Sequence, residues 1–201
     1  MIHTALLFLT NELNTWLNNK AGAADDIKAV LSAVATKEGL VIPNKTLGVS
    51  LINIEEERTF KDQKFTVKNS AGTYESRNPD LYLNLYVLIS ANFNSDTRRD
   101  PTTDYYEGLK QLSNVIFFFQ QKSVFTPFNS PSLSDSGIEK LSVELFSFNF
   151  EQMNNFWSVV GTSYLPSVLY KVRMITIQEN ISQAEGIVKE IVLNLESQFN
   201  G

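Results

Sequence analysis

The sequence predicts an α/β (α+β) fold: a single mixed β-sheet with helices packed on it. Three observations carry this prediction. The chain opens on a helical period, residues 47–54 and 81–92 alternate as strands, and the remaining signals run helix, strand, helix, strand. A length of 201 residues suits one domain with insertions. A chain of this size can bury roughly 70% of its unfolded surface, so it needs no metal or disulfide to fold. The composition is 43% hydrophobic and 19% charged, which rules out bulk disorder.

The first helix rests on Ile2, Leu6, Leu9, Leu13 and Trp16 or Leu17, which recur at three- and four-residue steps. The polar run from Asn18 to Gly22 ends it. Residues 25–39 read equally well as a helix or as a short buried strand. From Leu47 to Ile54 both alternating faces are fairly apolar, so the strand belongs inside the sheet. Residues 58–80 are polar and turn-rich, with Phe65-Thr66-Val67 as one arm of a hairpin. The strand at 81–92 sets Leu81, Leu83, Leu85, Val87 and Ile89 on a core face. Tyr82, Asn84, Tyr86, Leu88 and Ser90 fall on a mixed face that should touch a helix or a partner.

After a loop at 92–103, Asp104 reads as an N-cap with Glu107 as its reciprocal partner. The stripe that follows is Tyr105, Leu109, Leu112, Ile116 and Phe119, widened by Phe117 and Phe118. A helix apolar over so much of its circumference is deeply buried, or faces a partner as well as its own core. The Ser-, Pro- and Asn-rich stretch 122–137 reads as a long surface loop. Leu141, Val143 and Leu145 form a strand. Phe148-Asn149-Phe150-Glu151-Gln152-Met153 then carries a capping box and a hydrophobic staple, and Gly161 ends that helix. Val168, Tyr170, Val172 and Met174 share one face of a last strand, opposite Lys171 and Arg173. The tail 180–201 reads as an arm that orders on binding.

Several kinds of chemistry are excluded by composition. There is no cysteine, hence no disulfide, thiolate nucleophile or iron–sulfur cluster. His3 is the single histidine, which excludes multi-histidine metal sites and leaves no base for a serine triad except one beside the initiator Met. Seventeen basic against 22 acidic residues give a net charge of −5, unsuited to nucleic acid or an anionic membrane through bulk charge. The lone Arg98-Arg99 doublet does not change this. The longest apolar runs, Ala5-Leu9 and Val115-Phe119, are too short to span a bilayer. The start lacks the basic region of a secretory signal. Phosphate-loop, dinucleotide, nucleophile-elbow and zinc-protease motifs are missing. Glu55-Glu56-Glu57 alternates across a strand, so the three carboxylates cannot converge on one ion. Catalytic, cofactor-binding and metal residues are therefore each expected to be none. Composition and motifs together support a structural or interaction domain.

Several segments nonetheless resemble one family. They are the opening helix Ile2-Leu17, the run Lys45-Thr46-Leu47-Gly48-Val49-Ser50-Leu51-Ile52-Asn53-Ile54-Glu55-Glu56-Glu57, and Leu83-Asn84-Leu85-Tyr86-Val87-Leu88-Ile89. Tyr105-Tyr106-Glu107-Gly108-Leu109-Lys110-Gln111-Leu112 and Val115-Ile116-Phe117-Phe118-Phe119-Gln120 continue the pattern. Phe156-Trp157-Ser158-Val159-Val160-Gly161 and Pro166-Ser167-Val168-Leu169-Tyr170-Lys171-Val172-Arg173 complete it. In order and spacing they resemble the cap, or tail-terminator, proteins of contractile injection systems, the phage-tail-like particles of the anti-feeding-prophage type. The resemblance implies one terminator domain over 1–201, with a strand near Ala29-Val34. It further implies a ring of six copies at the end distal to the baseplate, which stops growth of the inner tube and anchors the last sheath layer. Some members carry a further domain, for which these residues leave no room. The implied partners are other copies, the inner tube protein and the sheath protein, in a particle assembled in the cytoplasm, with no cofactor, nucleic acid or membrane span. The loop 122–137 and the tail 180–201 are the expected contact segments. Two other classes compete: an effector or accessory protein carried by the same particle, and a hydrolase with an unrecognised carboxylate site.

Overall fold

The computed structural model describes residues 1–21, 28–57, 66–68, 74–76, 81–94, 101–134, 136–176 and 183–184. The chain divides into two compact units: Met1–Lys61 with Asp80–Ile177, and Asp62–Pro79 with Gln178–Gly201.

The first unit is built on a six-stranded mixed sheet. Its strands are β1 (Lys28–Leu31), β4 (Thr46–Glu56), β7 (Leu81–Asn92), β10 (Ser167–Thr176), β9 (Ile138–Phe146) and β8 (Val124–Phe125), in that spatial order. β1 and β4 are parallel and all other neighbours antiparallel. A small hairpin of β2 (Ala35–Thr36) and β3 (Gly39–Leu40) lies between β1 and β4 in sequence. The strand implied near Ala29-Val34 is thus present at the sheet edge, where a parallel pairing leaves no clear alternation to read.

Two helices, α1 (Ile2–Ala21) and α2 (Pro101–Gln121), cover one face. Leu6, Leu9, Leu13 and Leu17 of α1 pack there with Leu85, Val87 and Ile89 of β7 and with Tyr170, Val172 and Met174 of β10. The expected core faces of α1, β7 and β10 are therefore the observed ones. On the opposite face, α3 (Phe150–Val160) seats Trp157 with Leu88, Leu169, Val34 and Ile42 in a second, smaller core. Its start carries the expected capping box. Asn149 accepts from the Gln152 backbone N–H at 2.8 Å, and Gln152 accepts from the Asn149 N–H at 3.0 Å. Gly161 closes it at φ 70°, a left-handed turn that suits glycine. Gly48 makes room for this second core, because a Cβ there would lie 2.4 Å from the Ile42 Cδ1.

Three expectations are corrected. α2 begins at Pro101, whose fixed φ suits a first helical position, so Asp104 lies in the first turn and is not the cap. Glu107 does not return a capping bond. It accepts from Lys110 and from Gln111, the latter at 2.6 Å. The buried side of α2 is Asp104, Gly108, Gln111, Leu112, Val115, Phe118 and Phe119, about a quarter turn from the predicted stripe. Finally, 122–137 is not a surface loop. It holds β8 and a short 3-10 turn at Pro131–Leu133, and both Phe125 and Leu133 are fully buried.

In the second unit, β5 (Thr66–Lys68) pairs antiparallel with β6 (Tyr74–Ser76), the expected hairpin. β11 (Gln183–Ala184) adds to β6 as a third strand. Phe65, Arg98-Arg99 and the rest of 180–201 lie outside the described residues.

Candidate assembly surface

Two surface regions of the first unit stand out. The first is a groove of about 260 Å³ at the end of β9 and the start of β10. Leu145, Phe148, Phe156, Tyr164, Val168 and Ile116 are among its walls. α2 is rotated about a quarter turn from the predicted stripe. With its small and polar residues inward, Tyr105, Leu109 and Ile116 are left on an outward flank. Ile116 lines this groove. Tyr105 lines a second hollow of about 300 Å³ with Phe93 and Pro166, and Tyr164 borders both. The surface is thus an aromatic and aliphatic band from α2 to the sheet end. α2 buries one side in its own core and leaves Tyr105, Leu109, Ile116 and Phe117 exposed.

The second place is polar. A β-bulge between Leu51 and Asn53 shifts the phase of β4, so Asn53, Glu55 and Glu57 fall on the same face as Tyr86 and Asn84. The Tyr86 hydroxyl donates to Glu55 at 2.9 Å, and the Asn84 amide to Glu57 at 3.2 Å. Burial raises the Tyr86 pKa above its ordinary value, and the Glu55 hydrogen bond and the negative charges of Glu55 and Glu57 add to it. The phenol therefore stays a donor. Arg173 and Glu144 pair nearby on the strands β10 and β9 at 3.1 Å. A hollow of about 310 Å³ follows, lined by Glu57, Tyr82, Asn84, Lys140, Ser142 and Arg173. Its charges are mixed in sign, so it carries no field that would gather one class of ion. Among the described residues no three His, Asp or Glu side chains are grouped to hold a metal. His3 is exposed on α1, its ring 3.3 Å from the Thr4 hydroxyl.

Sequence reasoning marks 122–137 as a contact segment but does not single out Phe128 in the turn at 126–129. Phe128 is 97% exposed, the most exposed large hydrophobic side chain of the described residues. Flanked by Pro127 and Asn129, it belongs to no periodic stripe, and its position in a turn was the one available signal. Phe150 and Val159 of α3 are likewise largely exposed.

The geometry offers apolar hollows on the surface of a two-core α/β scaffold. Residues 6–190 match the family profile described as the Pvc16 N-terminal domain, and the chain belongs to that family. No curated protein sequence matches it. Two solved structures share the fold. One is the sheath/tube terminator of an extracellular contractile injection system, PVC, in its extended state, with a TM-score of 0.55 and 12% identity over 96% of this chain. The other is the tube-terminating cap of the anti-feeding prophage, with a TM-score of 0.53 and 14% identity over 93% of this chain. The chain spans 65% and 60% of those two chains. The family resemblance read from the sequence is borne out. Among the described residues no helix is long and apolar enough to cross a membrane.

Proposed function

We propose that this chain is a structural cap, or tail terminator, at the distal end of a contractile injection system. It ends growth of the inner tube and anchors the last sheath layer. Six copies form the ring, their contacts are with each other and with tube and sheath subunits, and the chain has no catalytic role. Residues 1–201 act as one cap domain within a particle assembled in the cytoplasm, with 180–201 as an arm that contributes to contacts. The observation that carries this reading is the fold shared with two terminators over more than nine-tenths of this chain. The apolar groove supports it, because a ring subunit must present apolar docking surface.

The test is negative-stain microscopy of particles from a strain lacking the gene. Tubes of variable length, or incomplete sheaths, are expected. Intact particles of normal length would refute a terminator and leave the effector or accessory reading, which predicts lost toxicity with unchanged particles.

A further inference from the structure

Phe128 stands on a rigid support. The Asn129 N–H donates to the Thr126 carbonyl at 3.1 Å, and the Ser130 N–H donates to the same oxygen at 2.9 Å. The Thr126 N–H donates to the Asn129 side-chain oxygen at 2.9 Å, and the Asn129 amide reaches the Val124 carbonyl at 3.0 Å. Buried Phe125 and Leu133 pin the segment on either side. The backbone under the ring is therefore ordered before any docking, which lowers the entropy cost of using Phe128 as an anchor.

The groove at the other end of β9 fits such an anchor. Its volume of about 260 Å³ lies below the ~300–1,000 Å³ of ligand pockets, and its walls are aromatic and aliphatic. Phe128 cannot fill the groove of its own chain. The Phe128 ring is 97% exposed, and because Phe125 is in register with Leu141 and β8 runs toward the start of β9, the turn that carries it lies toward that end. The groove begins at Leu145, and the strand from Leu141 to Leu145 alone spans roughly 14 Å at 3.4 Å per residue. Knob and hole are therefore two different patches on one chain, at opposite ends of one strand. One type of head-to-tail contact, repeated, covers both exposures in every copy.

We infer that the Phe128 turn of one copy docks in the groove lined by Ile116, Leu145, Phe148 and Tyr164 of a second copy. The inference rests on the reading of this chain as a ring subunit, because a heterologous contact that closes makes a ring. One aromatic side chain buries about 150–250 Å², well short of the ~800 Å² per partner of a stable interface. The knob is thus the anchor of a weak contact, which a covalent trap captures better than chromatography does.

The test places the photo-crosslinker p-benzoylphenylalanine at position 128, which keeps an aromatic ring there. Irradiation is carried out on particles that contain the chain and on the purified chain at high concentration. Mass spectrometry should find the position-128 peptide joined to peptides holding Ile116, Leu145–Phe148 or Tyr164 of another copy. Leu145→Asp, a change at an exposed position, should lower the yield by at least roughly tenfold. An unchanged melting temperature shows that this variant folds. Crosslinks only to tube or sheath subunits, to other sites on the chain, or to nothing overturn the inference and leave the cap reading standing. If the chain is missing from the particles, the cap reading fails, and the purified chain alone decides the contact.

Discussion

The two edges of the six-stranded sheet are finished in different ways. At the β1 edge, the Ala29 N–H donates to the Asn14 side-chain oxygen at 2.7 Å, and the Asn14 amide donates to the Ala29 carbonyl at 2.9 Å. A side chain from α1 thus imitates one rung of a missing strand. The β8 edge also carries an asparagine, Asn129, whose side-chain amide donates to the Val124 carbonyl at 3.0 Å, but this one comes from the turn that follows the strand. The strand is cut to two residues and the chain turns away, carrying Phe128 into solvent. An open edge invites pairing with another chain. Both edges are thus bonded by an asparagine, but one is sealed from a helix distant in sequence, whereas the other is shortened to two residues and its own turn puts a side chain forward. The difference places the proposed contact on side chains, and away from strand addition.

The largest break in this comparison comes from the support under β8. Phe125 is fully buried, edge-on to Phe8 at 5.5 Å and within 6.3 Å of Phe118. Phe125→Ala should cost about 3–5 kcal/mol in chemical denaturation. A cost under about 1 kcal/mol would mean that this edge is not part of the core. Next in size is the clamp on the other edge. Asn14→Ala strands two backbone groups and should cost about 1–3 kcal/mol. Amide exchange at Ala29 should quicken in that variant while exchange in the central strand β7 does not. Equal quickening in both would show a global effect and no local seal.

How far the sequence foretold these features depended on how many residues repeated each signal. α1, β7, β10 and the capping box of α3 each have several residues in phase, and each was legible. α2 misled because its core side carries Asp104, Gly108 and Gln111, which look like a solvent face. The helix lies close to β7 at Gly108, where a Cβ would be 3.6 Å from the Cβ of Ala91. Of the predicted stripe, Leu112 and Phe119 are buried while Tyr105, Leu109 and Ile116 stay outside. The segment 122–137 holds its place through Phe125 and Leu133, eight residues apart, which make no period. The bulge in β4 has no signature in Leu51-Ile52-Asn53, yet it decides which face Glu55 and Glu57 share. The candidate surface was therefore legible as an excess of apolar residues on α2, and its location was not.

A smaller effect isolates the groove from both edges. Asn149→Ala removes the cap of α3, whose Met153, Phe156 and Trp157 line the groove, and should cost about 1 kcal/mol. Restoring a side-chain acceptor with Asn149→Ser should recover most of that loss. If it does not, the hydrogen bond to Gln152 is not what holds the helix start.

The smallest expected effect on stability is also the sharpest. Phe128→Ser removes a ring that is 97% exposed, so the unfolding free energy should stay within about 0.5 kcal/mol of the parent chain. Phe125→Ala removes a ring of the same size three residues earlier and should cost several times more. The pair separates support from projection within one turn. Both variants lose a phenyl group from one segment, so the difference between them reports burial and little else. If Phe128→Ser destabilises the isolated chain by more than about 1 kcal/mol, the ring is held against its own chain and is not free to act as a knob. If stability is unchanged while the photo-crosslinks from position 128 reach the groove of another copy, the turn spends its rigidity on a neighbour.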